Sequence, residues 1–171
     1  MIEISNKNKA LYGTVALASS KSISNRLLII QHLCKSKFEI QNLSNSNDTK
    51  ILSKILKEFQ IKKNINCQDA GTALRFVVAF LATKEGIWKV SGSKRMHERP
   101  IKPLIDCLSE LGTEFKYLDK KGFPPLEIRS KKLKSKKLSL PGDISSQFIS
   151  ALLLVAPTIE NGLDLEITSK I

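Results

Sequence analysis

Four of the five arginines lie in short segments of small and polar residues, where their side chains could bind an anion. These four are Arg26, Arg75, Arg95 and Arg99, whereas Arg129 belongs to a lysine-rich run. A guanidinium group is planar and can hold phosphate or carboxylate through two parallel hydrogen bonds. Because 23 of the 28 basic residues are lysines, the use of arginine at these four positions indicates that this geometry is needed. The pattern predicts that the protein binds small anions.

Three predicted helices begin with small polar residues that are followed at once by apolar turns. The opening segments are residues 19–26, 69–75 and 142–147. Apolar first turns indicate buried helices, and a buried helix N-terminus presents unpaired N–H groups and the positive end of the helix dipole. Lys21, Arg26 and Arg75 would add full positive charge there. An ordinary N-cap explains any one segment equally well, but three at matching positions favour anion binding.

The elements that would position these segments recur with a period near 50 residues, which indicates an internal duplication. Ser22 and Thr72 are 50 residues apart, and Asp48 and Pro100 are 52 apart. Alternating apolar residues predict strands at 11–17, 38–43, 61–68 and 87–90. Helical periodicity predicts helices that extend to residues 33 and 82 from the first two segments, and helices at 49–59 and 100–111. Asp48 is the predicted N-cap of the helix at 49–59.

A third copy of the unit is shorter than the first two. It contains two or three short strands within 116–140, a helix at 148–156 and a strand at 163–168. No second helix follows the last strand, so the third unit is expected to be truncated.

The net charge of +12 has two explanations, nucleic-acid binding or a genome that favours A/T-rich codons. Lysine, asparagine and isoleucine are all abundant, and all three have such codons. The densest basic run, residues 129–137, carries six positive charges and no aromatic side chain that could stack on a base. We predict a solvated loop or edge strand there, with a basic nucleic-acid-binding module as the alternative.

The cysteine spacing and the hydropathy of the sequence argue against disulfide-rich, zinc-binding and membrane-spanning proteins. Cys34, Cys67 and Cys107 are an odd number without CxxC spacing, which argues against a disulfide framework and against a zinc site. We predict buried free thiols in a reducing cytoplasm, no metal and no cofactor. No apolar run approaches the roughly 18 residues of a membrane span. The N-terminal residues lack the basic start and apolar stretch of a signal peptide.

Four motifs in series carry a resemblance to a known family. They are residues 13–26 (GTVALASSKSISNR), 69–75 (DAGTALR), 95–101 (RMHERPI) and 145–148 (SSQF). Their order and spacing resemble the 5-enolpyruvylshikimate-3-phosphate synthase family over essentially the whole chain. The related transferase that acts on UDP-N-acetylglucosamine is an alternative. It lacks the SKSxSNR and SSQF signatures, however, and relies on a loop cysteine, whereas Cys107 lies in a predicted helix.

The resemblance implies an α/β (α+β) fold, an inside-out α/β barrel-like domain of repeated βαβαββ units with buried parallel helices. Family members are about twice as long or more, so the chain resembles roughly their first two-fifths. Residues 1–17 would supply an opening strand that belongs to the absent second domain. Residues 18–171 would form an incomplete N-terminal domain with units at about 18–60, 61–115 and 116–171.

The resemblance also implies a reaction, the transfer of enolpyruvate from phosphoenolpyruvate to the 5-hydroxyl of shikimate 3-phosphate with release of phosphate. This transferase step belongs to the shikimate pathway of aromatic amino-acid biosynthesis. The implied protein is cytoplasmic, monomeric when complete, and binds neither nucleic acid nor membrane. The acid/base carboxylate and lysine of the family lie in its second half, and nothing in this chain matches them. We therefore expect the chain to be inactive without the missing C-terminal half.

Motif matching implies a set of substrate-binding residues. Those for shikimate 3-phosphate are Lys21, Ser22, Arg26, Ser145, Ser146 and Gln147. Those for phosphoenolpyruvate are Lys21, Gly71, Arg95 and Gln147. Lys21 would contact both substrates and is the implied catalytic residue. Asp69, Thr72 and Arg75 are further candidates, although Asp69 could simply cap its helix and Arg75 could simply join helices; Arg99 is expected to be structural.

Overall fold

Five α-helices and six strands are present in the part of the chain that the computed structural model describes, residues 12–34 and 37–169. The helices are α1 (Lys21–Leu33), α2 (Asn47–Glu58), α3 (Gly71–Ala82), α4 (Lys102–Glu110) and α5 (Ser146–Val155). The strands are β1 (Asn64–Asn66), β2 (Gly86–Ser91), β3 (Glu114–Tyr117), β4 (Leu126–Ser130), β5 (Lys137–Leu140) and β6 (Asp164–Ile167). The fold is therefore mixed α/β, as predicted.

The strands form two sheets on which the helices pack. A four-stranded sheet has the order β1-β2-β4-β3, with β1 parallel to β2 and β4 antiparallel to both of its neighbours. A second sheet consists of β5 and β6, which are parallel and are connected through α5. Parallel strands need a crossover connection, and α3 and α5 supply it. The order strand–helix–strand–helix–strand–strand is complete once, from β1 to β4.

Helix α3 lies at the centre of the core. All of its residues except Thr72 are buried, and it packs against the other four helices and against β2 and β4. The cause is its composition, because a helix that is apolar around its whole circumference is stable only when protein covers every face. The prediction of a buried helix is confirmed here.

Helices α1 and α5 are buried along one side only. Leu28 and Ile29 of α1 and Leu152 of α5 lie in the core, whereas Ile23 is 60% exposed and Leu153 is 55% exposed. The sequence prediction that these helices are buried therefore holds on one side only of α1 and α5. Their outer apolar residues have no covering element among the described residues.

Helix starts and stops follow local side-chain chemistry. The Ser46 hydroxyl accepts a hydrogen bond from the Thr49 N–H at 3.3 Å, so Ser46 is the N-cap of α2. The prediction of Asp48 as the cap is wrong by two residues, because α2 begins at Asn47 and Asp48 already lies in its first turn. Helix α4 begins after Pro100, and Gly112 follows its end with a φ of +109°, a value that glycine adopts without strain.

Two predicted strands are absent from the described residues. Residues 12–17 and 38–43 have no regular secondary structure, and Leu11 lies outside the described part. Alternating residues form a strand only when another strand pairs with them and a core accepts their apolar side chains. No described strand pairs with either segment. The side chains of Tyr12, Val15 and Leu17 are also exposed, whereas Ile40 and Leu43 pack against the core.

The lysine-rich run is a solvated loop, as predicted. Residues 131–136 connect β4 to β5 without regular structure. Four lysines of the run pair with glutamates of this chain; the pairs are Lys131–Glu114, Lys132–Glu160, Lys136–Glu110 and Lys137–Glu166. Each pair is exposed and so contributes little to stability, but together they offset much of the positive charge of the run.

The three cysteines differ in exposure. Cys67 and Cys107 are buried, as predicted, but Cys34 is exposed at the end of α1, which corrects the prediction for that residue. Burial raises the pKa of the Cys67 thiol to about 12. Burial, with the charges of Glu110 and Asp106, raises the pKa of Cys107 to about 11. Since the thiolate is the reactive form, only Cys34 is positioned to react.

We therefore expect one thiol of the folded protein to react with Ellman's reagent, and three after denaturation. Raising the pH from 7 to 9 should leave the count at one, because a raised pKa keeps the Cys67 and Cys107 thiols protonated across this range. A Cys34→Ser variant is the control and should give no reactive thiol when folded. Labelling of Cys67 or Cys107 in the folded variant would contradict the prediction.

Candidate anion-binding site

Arg26 contacts all three helices whose starts the sequence predicts to bind anions. It lies in the second turn of α1, where its guanidinium donates to the Ser22 carbonyl at 3.1 Å and to the Ser22 hydroxyl. The same group donates to Ser150 Oγ of α5 at 2.9 Å and lies 5.5 Å from the ring centre of Phe76 in α3. Arg26 is half-buried, so its charge is fixed in position near α1, α3 and α5.

Lys21 is the first residue of α1, and its ammonium group forms an ion pair with Asp48 of α2. Its Nζ lies 3.5 Å from Oδ2 of Asp48, and its side chain is 50% exposed. The N-cap of α1 is Ser20, whose hydroxyl accepts from the Ile23 N–H at 3.3 Å. The ammonium group is therefore accessible to a ligand, but a ligand must compete with Asp48 for it.

The start of α5 presents hydroxyl groups to solvent. Ser145 is the N-cap and accepts from the Gln147 N–H at 3.4 Å. Ser145 and Ser146 are exposed and Gln147 is half-buried. Phe148 follows in the core, where the guanidinium of Arg75 lies 5.2 Å from its ring centre.

The start of α3 has no side-chain cap. Ala70 occupies the N-cap position, and Gly71 is buried. Arg75 donates to the Gly71 carbonyl at 2.9 Å and to the Pro100 carbonyl at 3.3 Å, so it links α3 to the segment before α4. Desolvation lowers the pKa of Arg75, and the positive charge of Arg99 lowers it further.

The remaining predicted residues, Asp69, Thr72 and Arg95, lie at or near the start of α3. The Asp69 carboxylate accepts from the Ser93 hydroxyl, so the suggestion that Asp69 caps α3 is wrong. The Thr72 side chain is half-buried. Arg95 precedes a 3-10 turn at Met96–Glu98 and is exposed. Among the described residues, its guanidinium has no hydrogen-bonding or ion-pair partner.

Lysines and arginines differ in how their charges are neutralised. Seven ion pairs occur within the described residues, and the basic partner in every one is a lysine. None of the five arginines pairs with a described carboxylate. Arg26, Arg75, Arg95 and Arg99 therefore carry positive charge without an ion-pair partner among the described residues, and such charge attracts anions.

Several contacts at this site are not predicted by the sequence motifs. They involve Asp48, which pairs with Lys21, Ser150, which accepts from Arg26, and the rings of Phe76 and Phe148. A single polar residue within the otherwise apolar stretch 148–155 is the one signal that could have indicated Ser150. No group of three His, Cys, Asp or Glu side chains suited to a metal ion occurs in the part of the chain described. No described helix is both long and apolar enough to span a bilayer.

Clustered, unpaired arginines at helix starts in a mixed α/β fold are typical of proteins that act on small anionic substrates. A family model described as "EPSP synthase (3-phosphoshikimate 1-carboxyvinyltransferase)" matches residues 5–64 and 59–171. The chain belongs to the EPSP synthase family.

Known relatives are longer than this chain. A 3-phosphoshikimate 1-carboxyvinyltransferase of Bacteroides fragilis is 44% identical over 158 residues, which are 92% of this chain and 38% of that protein. An enzyme of the same name from Haemophilus influenzae is 36% identical, and the match covers 44% of its length. EPSP synthase of Acinetobacter baumannii superposes with a TM-score of 0.79 at 19% identity, over 90% of this chain and 40% of that one. The chain thus spans about two-fifths of the length of these relatives.

The Lys21–Asp48 pair provides a test of the site. We expect Asp48→Asn to raise the affinity for inorganic phosphate at the start of α1, because Nζ no longer shares its charge. The free energy of unfolding should fall by about 1 kcal/mol or less, since the pair is partly exposed and Asp48 also faces the N-terminus of α2. Phosphate titration followed by NMR and urea unfolding measure the two effects.

Asp106→Asn is the matched control, because it breaks the Lys102–Asp106 pair within α4. It should change stability by a similar small amount and leave phosphate binding unchanged. An equal gain in phosphate affinity in both variants would mean that net charge, and not the position of Lys21, controls binding.

Proposed function

We propose that the chain supplies part of the active site of an enzyme that transfers enolpyruvate from phosphoenolpyruvate to the 5-hydroxyl of shikimate 3-phosphate. The observation that carries this proposal is the convergence of unpaired arginines on the starts of α1, α3 and α5. Both substrates are polyanions, so they repel each other and need fixed positive charge to bind side by side. Membership of the EPSP synthase family supports this choice of substrates.

Shikimate 3-phosphate is the proposed ligand of the starts of α1 and α5. The residues proposed to bind it are Lys21, Ser22, Arg26, Ser145, Ser146 and Gln147. The hydrogen bond from Arg26 to Ser150 supports the proposal, because it joins the second turns of the two helices and so holds their starts close together. Exposed hydroxyls at the N-terminus of α5 suit a phosphate group, which accepts hydrogen bonds and favours the positive end of a helix.

Phosphoenolpyruvate is the proposed ligand of the start of α3. Lys21, Gly71, Arg95 and Gln147 are proposed to bind it. Two features support this site, the uncapped N-terminus of α3 and the exposed guanidinium of Arg95. Addition of the 5-hydroxyl of shikimate 3-phosphate across the double bond of phosphoenolpyruvate gives a tetrahedral intermediate, and elimination of phosphate restores the double bond. Lys21, between the two substrates, would stabilise the negative charge of both.

We further propose that residues 18–171 form an incomplete domain of repeated βαβαββ units in an inside-out arrangement, and that residues 1–17 belong to a second domain. The complete unit from β1 to β4 supports the repeat. The proposed units are at about 18–60, 61–115 and 116–171. The exposed Ile23 and Leu153 support a missing half that covers α1 and α5. The complete protein is expected to be monomeric and cytoplasmic.

Titration with shikimate 3-phosphate, followed by amide NMR, tests the proposal directly. We expect saturating shifts at the starts of α1 and α5. Arg26→Lys should weaken binding by about tenfold, because it keeps the charge but loses bidentate hydrogen bonding, which for charged groups contributes about 1.5 kcal/mol or more. Arg129→Lys is the control and should bind as the original chain does, since Arg129 is exposed on β4.

A DNA duplex serves as the rival ligand in the same titration. Nucleic-acid binding would weaken steeply with salt and would involve the lysines of residues 129–137. Salt-sensitive shifts with DNA, together with no response to shikimate 3-phosphate, would overturn the proposal.

The chain alone is expected to release no phosphate from a mixture of the two substrates. General acid–base catalysis needs a proton-transferring group within hydrogen-bonding reach. Two described carboxylates near the starts of α1 and α3 already have partners, since Asp48 pairs with Lys21 and Asp69 accepts a hydrogen bond from Ser93. A colorimetric phosphate assay measures this, with the full-length Bacteroides fragilis relative as the positive control. Turnover by the purified 171-residue chain would show that it is competent alone.

A further inference from the structure

The start of α3 carries polar groups whose hydrogen-bonding capacity is not used within the protein. No side chain caps this helix, and the Leu74 N–H is the first to bond back along it, to the Ala70 carbonyl at 2.9 Å. The N–H groups of the first turn therefore have no capping partner. Ala70 and Ala73 are buried, so bulk water does not surround them. An uncapped helix start of this kind favours an acceptor from outside the described chain.

Arg75 is a second unsatisfied donor at the same place. Its side chain is only 7% exposed, and its Nε has no hydrogen-bonding partner among the described residues. Two of its N–H groups donate to the Gly71 and Pro100 carbonyls, and a guanidinium has five. The Phe148 ring lies beside the group. Because an unpaired buried donor is costly, the free N–H groups of Arg75 favour an additional acceptor here.

Arg99 brings a second guanidinium to this helix start. A β-carbon at position 71 would lie 2.7 Å from Arg99 Nη1 and 3.2 Å from Arg75 Nη1. The two nitrogen atoms are therefore no more than about 6 Å apart, a distance at which like charges repel. Arg99 can approach the backbone this closely only because residue 71 has no side chain. The expectation that Arg99 is merely structural does not account for this position.

No described carboxylate forms an ion pair with either guanidinium. Asp69, two residues before Gly71, accepts a hydrogen bond from Ser93, and Glu98 forms no ion pair with its neighbour Arg99. The two guanidinium groups therefore present donors at a helix start whose first N–H groups have no capping partner. An oxyanion with several acceptor oxygens, such as a phosphate group, satisfies all of them at once.

We infer that Arg75 and Arg99 together clamp the phosphate group of a substrate at the N-terminus of α3, and that Gly71 is required there because it admits Arg99. This inference rests on the proposed function and adds two binding residues to it. Arg99 comes from the exposed segment before α4 and closes over the anion, while Arg75 holds it from within the core.

Inorganic phosphate at constant ionic strength is the probe for this site, with the Gly71 amide and the arginine Nε–H signals as reporters. The 171-residue chain should show saturating shifts at Gly71 and at Arg75. Arg99→Gln should lower the affinity at Gly71 by about tenfold or more, because it removes a charged hydrogen-bond donor. Arg129→Gln, on β4, is the matched control and should leave the affinity unchanged.

Arg75→Lys is the second variant, since it keeps the charge but lacks Nε. We expect weaker phosphate binding at Gly71, and an additional Arg99→Gln substitution should then cost less than it does alone, because the two groups hold one anion. Thermal unfolding of each variant shows whether the fold is intact. Arg99 is exposed, so Arg99→Gln keeps the test decisive even where Arg75→Lys is destabilised.

The outcomes separate this inference from the proposed function. Equal phosphate affinity in Arg99→Gln and the original chain would overturn the clamp, as would the absence of any shift at Gly71. If shikimate 3-phosphate still binds at the starts of α1 and α5 in either case, the proposed function survives. Failure of both ligands to bind the original chain would overturn both.

Discussion

The burial of α3 on every side is the constraint on which the rest of the structure depends. An apolar helix of twelve residues cannot be exposed on any face, so helices and strands must surround it. Those surrounding elements bring the starts of α1 and α5 near the start of α3. Arg75 is the only charged residue of α3, and the Gly71 and Pro100 carbonyls and the Phe148 ring make its burial tolerable. The packing that forms the core therefore also places the groups of the candidate site.

Lysines and arginines have different roles in this structure, which follow from their side-chain chemistry. Lysines form the surface ion pairs, which a flexible ammonium group makes at little cost in geometry. Arginines form none of these pairs and instead contact carbonyls, hydroxyls and aromatic rings near the helix starts. The large net charge therefore says little about ligands, whereas the distribution of the five arginines says a great deal.

Sequence patterns succeeded where the physical cause is local and failed where it is not. Helices α2 and α4 follow from apolar periodicity, and the end of α4 follows from Gly112. Strands at 12–17 and 38–43 are absent from the described structure because a strand needs a partner that the pattern cannot supply. Cys34 was predicted to be buried because the three cysteines lack disulfide and zinc spacing, but it is exposed at the end of α1.

The sequence by itself determined which residue types stand at each helix start and, through the four motifs, the family to which the chain belongs. Only the tertiary structure decided which of these groups meet. Arg26 bonds to a serine 124 residues further along the chain, and Arg99 reaches Gly71 from the segment before another helix. Periodicity and capping are properties of neighbouring residues, whereas the contacts of a guanidinium depend on how distant helices pack around α3.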